Sequence, residues 1–271
     1  MSRPGRRRGD TPLTPAETRR AMNLNIVLGS MGTMWAAVAA PGPILTPFFQ
    51  NRLGATSEQV GVLTAAIQVA SVFNMLSILV YARLGRVKPF WIVTTVIQRL
   101  YGFVPAIVSL AAWRGAPVAP GIAAITIGVA VGWSLAHLSV SGWYTWVTGY
   151  VPEDTRATFF GRRAAVLNTV AVVVVTAVTV LVDQFEGRGL FLAYFWIFFI
   201  AAVAGVLDIA LAVLIPERRP VAADGASGSA APPLRFSWRD FSEPVRSRNF
   251  LFFALSIGLW GAASIGHLWA P

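Results

Sequence analysis

The chain has 271 residues, of which 55% are apolar, 12% aromatic and only 13% charged. A soluble domain carries about 25% charged residues, so this chain is too apolar to cover its own surface and reads as an all-α integral membrane protein. Its net charge of +10 would suit nucleic acid, but the placement of the charges argues against that partner; with no Cys, there is no disulfide and no thiolate metal site.

A helix needs about 20 mostly apolar residues to cross a bilayer core of roughly 30 Å. Seven segments qualify in chain order: 24–49, 60–81, 90–112, 120–148, 163–183, 189–215 and 249–270. The first contains "APGPILTP", and Pro41, Pro43 and Pro47 predict a kink or an early exit there. The N-terminal "MSRPGRRRG" imitates a signal peptide. Its apolar run is interrupted by Asn25 and continues past the small-residue pattern, so it is expected to stay as an uncleaved first helix. Residues 1–23 then form a basic tail, 24–215 a six-helix bundle and 216–248 a linker that starts rich in Pro, Gly, Ala and Ser. The later part of that linker, "FSWRDFSEPVRS", suits a membrane surface. Residues 249–271 are a seventh helix that opens a second bundle.

Basic residues number six before the first span, three between the second and third, three between the fourth and fifth and six between the sixth and seventh. The opposite loops hold only Arg52, Arg114 and Arg188. Positive charge accumulates in cytoplasmic loops, so the N-terminus and the linker are expected in the cytoplasm of a bacterial inner-membrane protein. The basic loops would contact anionic lipid rather than nucleic acid.

Six helices, a cytoplasmic linker and a seventh helix resemble the front part of a major facilitator superfamily transporter. The loop "ARLGRVK" resembles that family's motif between its second and third helices, with Arg83, Gly85, Arg86 and Lys88 at the matching spacing. Ala82 stands at the family's Asp position and Ile78 at its earlier Gly. "VPEDTRATFFGRR" and "LGATSEQVGVLTAA" are similar to the family's entries to the fifth and second helices. The resemblance implies a secondary active transporter of a small solute, coupled to a proton or ion, working by alternating access between two six-helix halves. It implies a gating role for the Arg83–Lys88 loop; the alternative is a simple positive-inside anchor. It also implies that helices 8 to 12 lie beyond this chain, or that the chain self-associates. The alternative function is a non-transporting scaffold, assembly or sensor protein on the same helices.

Candidate cavity residues come from polar and aromatic groups at membrane depth. Trp133, His137, Ser141 and Tyr144 share one face of the fourth span. Thr64, Gln68 and Ser71 share a face of the second, and Asn168, Thr176, Thr179 and Asp183 lie roughly in line on the fifth. Trp35 and Trp260 sit near the middle of spans one and seven, away from the interfaces where Trp concentrates. The competing reading of the hydroxyls and amides is packing glue between helices. Arg99 and Asp208 are ionisable groups inside spans at similar depths. They read as a structural ion pair or as separate pairings within the bundle, since the resemblance sets spans three and six away from the cavity; the sharper reading makes Asp208 or His137 the carrier of a coupling proton. No Ser-His-Asp set, metal-spaced His cluster or phosphate loop is present, so neither an enzyme nor a bound cofactor is expected.

Overall fold

The computed structural model describes residues 13–84, 87–217 and 246–252, with 255, 256 and 259. The chain divides into two compact units, Met1–Ala222 and Ala223–Pro271. All regular structure among the described residues is helical. Five segments are long and apolar enough to cross a membrane: Ser57–Ser77, Lys88–Trp113, Ala119–Thr148, Glu153–Val182 and Gly187–Ala212. That is two fewer than the seven expected. Most of the seventh, with Trp260, lies outside the described residues.

The first expected span is a helix that starts earlier and stops sooner. Helix α1 runs Pro15–Ala39. Thr14 accepts the Glu17 amide, and the Glu17 carboxylate accepts the Thr14 amide at 2.8 Å, so two otherwise orphaned donors are satisfied reciprocally. This start brings Arg19 and Arg20 into the helix and dilutes its apolar length. The helix ends where Pro41 and Pro43 supply no N–H. The chain resumes as the short helix α2 (Leu45–Pro47) and a π turn, Phe48–Arg52.

The second span is α3 (Ser57–Ala70) followed by α4 (Phe73–Leu84). Between them the amides of Ser71 and Val72 bond carbonyls three residues back rather than four. The third span is α5 (Lys88–Tyr101) and α6 (Phe103–Trp113), hinged at Gly102. Pro105 cannot donate to the Tyr101 carbonyl, which accounts for the hinge. Helix α7 spans Ala119–Thr148, α8 Glu153–Val182 and α9 Gly187–Ala212. Helix α8 starts ten residues before the expected boundary at 163. Pro152 precedes it, and Glu153 and Asp154 face its positive end.

Helix α1 packs on α8 and α9, α7 packs on α3, α4, α5 and α6, and α9 also packs on α5 and α6. Two apolar clusters result. One holds Trp35, Phe48, Tyr101, Ile125 and Phe198. The other, at the end of the bundle that carries Lys88, holds Leu28, Trp91, Trp146, Tyr150 and Ile209. Helix α8 buries only Phe159 and exposes Val172 to 66%, an apolar surface that suits lipid rather than water. In the second unit the chain is helical at 248–252, and Ser247 accepts the Phe250 amide at 3.2 Å.

Candidate functional site

The layer between the two apolar clusters is polar. Asp208 of α9 is 2% exposed. Arg99 of α5 grips one of its oxygens twice: Nη2 donates to Oδ2 at 2.9 Å and Nε donates to the same oxygen at 3.2 Å. The Arg99 guanidinium also lies over the Trp35 ring at 4.3 Å, a cation–π contact strengthened where water is excluded. Spans three and six thus carry a true ion pair, as their matched depths suggested.

A second guanidinium sits nearby. Arg163 of α8 donates from Nε to Asn25 Oδ1 at 2.8 Å and stacks over Trp143 at 4.7 Å. Asn25 is fully buried, and its Nδ2 donates to the Tyr150 hydroxyl at 2.8 Å. Burial pushes the Tyr150 phenol above its ordinary pKa, against smaller opposing effects of the Asn25 hydrogen bond and the Arg163 charge. It therefore keeps its proton while accepting from Asn25. Arg163 forms no ion pair among the described residues.

Arg99, Arg163 and Asp208 line one cavity of about 320 Å³ between α1, α5, α7, α8 and α9. Gln98, Thr95, Trp91, Trp143 and Tyr144 also stand in its wall. Helix α1 faces it with Leu28, Thr33 and Ala36 and with two glycines, Gly29 and Gly32. A Cβ on Gly29 would lie 2.9 Å from Arg163 Nη2, and one on Gly32 would lie 2.6 Å from Asp208 Oδ2. These glycines let the charged groups rest directly on the α1 backbone.

Of the aromatic and polar residues expected at a cavity, Tyr144 lines this one; Arg99 and Asp208, which the resemblance set away from a cavity, line it as well. Trp35 is 1% exposed and belongs to the core, stacked on Trp133 at 5.9 Å and edge-on to Tyr101. The Trp35 indole N–H and the Tyr101 hydroxyl are buried without hydrogen-bond partners among the described residues. Ser141 is tied to Ser77 of α4 at 2.7 Å, the packing role. His137 is half-buried and outside the cavity wall, while Gln68 and Asn168 lie on exposed faces. The cavity face of α7 is Ala136, Ser139, Val140, Trp143 and Tyr144, rotated from the expected stripe.

The expected gating loop contributes through Lys88, which is 9% exposed. Its ammonium donates to the carbonyls of Val213, at 2.9 Å, and Ile215 at the end of α9. In return Glu217 accepts the amides of Val87 and Lys88 at 2.8 and 2.9 Å, at the start of α5. Each helix end receives the charge that its dipole favours. Arg83 is in α4 with its side chain outside the described set, and Gly85 and Arg86 lie outside the described residues.

No protein-family model, curated protein or solved structure matches this chain. The resemblance to the major facilitator superfamily therefore rests on helix order, charge sidedness and the loop motifs alone.

Sequence reasoning missed Arg163 and Asn25. Arg163 counts as a loop residue if the fifth span starts at 163. The start signal at Pro152, Glu153 and Asp154 instead places it ten residues inside a helix, about 15 Å at the helical rise.

Proposed function

We propose that the chain is a secondary transporter that carries a small solute across a bacterial inner membrane by alternating access, its N-terminus and Lys88 end cytoplasmic. The observation that carries this reading is the cavity. Two arginines and an aspartate meet at one space among helices that are otherwise apolar, where ionisable groups are costly and by default serve a pathway. Binding sites of such transporters lie near the bilayer midplane between helix bundles. A coupling proton or ion belongs to the same proposal, with Asp208 as the carboxylate available to it.

Reconstitution tests this. Proteoliposomes holding the 271-residue chain are loaded in turn with benzoate, benzylamine and glucose, and counterflow of the labelled compound is measured. Alternating access needs a second bundle, which here a second copy of the chain would supply. Saturable counterflow of one class well above protein-free vesicles is therefore expected from the self-associated chain, and rates equal to protein-free vesicles for all three would sink the reading. A second reading, a non-transporting scaffold, draws on Ala82 standing where the resembling motif has Asp. It predicts tight co-purification of another membrane protein and no counterflow. Sidedness is tested on the cysteine-free background. Ser57→Cys should react with an impermeant thiol reagent added outside cells, and Thr155→Cys only after permeabilisation; the reverse pattern would invert the topology.

A further inference from the structure

The cavity is electrically unbalanced. Arg99 and Asp208 neutralise each other at 2.9 Å. Arg163 forms no ion pair among the described residues: its Nε is held by the neutral Asn25 amide, its charge rests on the Trp143 ring, and Asp208, which also attracts it, is already gripped by Arg99. Among the described residues the wall therefore carries one positive charge in excess. Coulombic interactions strengthen several-fold away from bulk water, so this excess favours an anion.

The geometry points to a small organic monocarboxylate as the ligand of this cavity, received by the Arg163 guanidinium. This rests on the transporter reading for its purpose and on geometry alone for its site. Nε is held by Asn25 and Nη2 lies against the Gly29 backbone, but no hydrogen bond among the described residues occupies the terminal nitrogens, so their outer edge can make a forked contact with a carboxylate. One negative charge restores neutrality; a cation would double the imbalance, and a dianion would reverse it. The volume of about 320 Å³ sits at the small end of ligand sites. Trp143 and Tyr144 at the wall give an apolar body something to rest against. Asn25 is a positioning residue here, since it acts on the ligand through Arg163.

Binding is read from tryptophan emission of the whole chain in nanodiscs, because Trp143 is stacked on the proposed ligand group. The probes are benzoate, benzyl alcohol and benzylamine, which share a ring and differ in charge. Benzoate is expected to give a saturable change, with the other two at least tenfold weaker. Arg163→Gln should lose the benzoate response, and Arg163→Lys, which keeps the charge but not the fork, should weaken it about tenfold. Equal or better binding of benzylamine or benzyl alcohol overturns the inference. So does a wild-type chain that shows no saturable benzoate response, or a folded Arg163→Gln that binds benzoate unchanged. Probe selectivity in the wild type decides the matter even where Arg163→Gln does not fold. Benzoate binding without counterflow keeps the anion site and removes transport, whereas counterflow of benzylamine or glucose without benzoate binding keeps transport and removes the anion site.

Discussion

Replacing Gly32 with alanine would set a methyl carbon 2.6 Å from Asp208 Oδ2 and 3.0 Å from Arg99 Nη2. Alanine is the better helix former by about 1 kcal/mol, but overpacking costs about 1–3 kcal/mol. Gly32→Ala should therefore lower the melting temperature in detergent. Gly61→Ala, where nothing lies within 4 Å, should hold or raise it. If both variants melt alike, the close approach of the charged pair to α1 is wrong. The pair itself is tested by a cycle. Asp208→Asn leaves a buried guanidinium uncompensated, a loss of about 3–5 kcal/mol in soluble hosts. Arg99→Met with Asp208→Leu should lose clearly less than the two single changes together. Tyr101→Phe removes a buried hydroxyl that has no partner among the described residues. A stability gain or no change is expected; a loss above 1 kcal/mol would reveal a partner for it. Arg99 and Asp208 could be read in the sequence because a charge in an apolar run announces itself. Asn25 could not, since a neutral amide in a span looks the same whether it orients an arginine or packs a neighbour.

At the scale of elements, α5 and α9 are tied by an exchange of caps. Lys88→Met strips the ammonium from the Val213 and Ile215 carbonyls, and Glu217→Gln removes the charge from the acceptor of two α5 amides. Hydrogen bonds to charged groups contribute about 1.5–3 kcal/mol. Faster amide exchange is expected at Val87 and Lys88 in Glu217→Gln, with Trp146 emission shifted in Lys88→Met because the ammonium lies 5.2 Å over that ring. Exchange unchanged at Val87 and Lys88 would show the cap to be idle. The prolines of "APGPILTP" made the end of α1 legible in the sequence. The α3–α4 break at Ser71 and Val72 carried no such sign, because neither residue is a strong breaker and tertiary packing decides there. Hydropathy marks the apolar spans from 24 and 163, whereas the helices that contain them start earlier, at Pro15 and Glu153. In both places the capping chemistry, Thr14 with Glu17 and Pro152 with Glu153, was the better guide.

Across the whole molecule, apolar faces turn outward as well as inward. Helix α8 leaves Val172, Val173 and Val180 exposed, and an aqueous surface of that kind would aggregate. Val172→Cys should react with a lipid-soluble maleimide and resist a water-soluble one, while Ala116→Cys in the α6–α7 turn should react with both. Equal water-phase labelling would take α8 out of the bilayer. All-helical character, the multi-pass pattern and the charge asymmetry were legible in composition and spacing. The cavity was not, because it depends on which faces of five helices meet, and one-dimensional periodicity on α7 selected a face rotated from the one that lines this cavity.

The exchange of caps also has a consequence in time. Ribosomes deliver this chain from the N-terminus, so α5 and its ammonium emerge while α9 and Glu217 are still unmade. Roughly 130 residues separate the two partners. During that interval the first amides of α5 must be satisfied by water or lipid headgroups. The contact can close only when residue 217 has left the ribosome, and it then marks the completion of α9. A ribosome stalled before that codon would hold an unfinished bundle with an open seam on α5, a species that quality-control proteases could tell apart from the finished one.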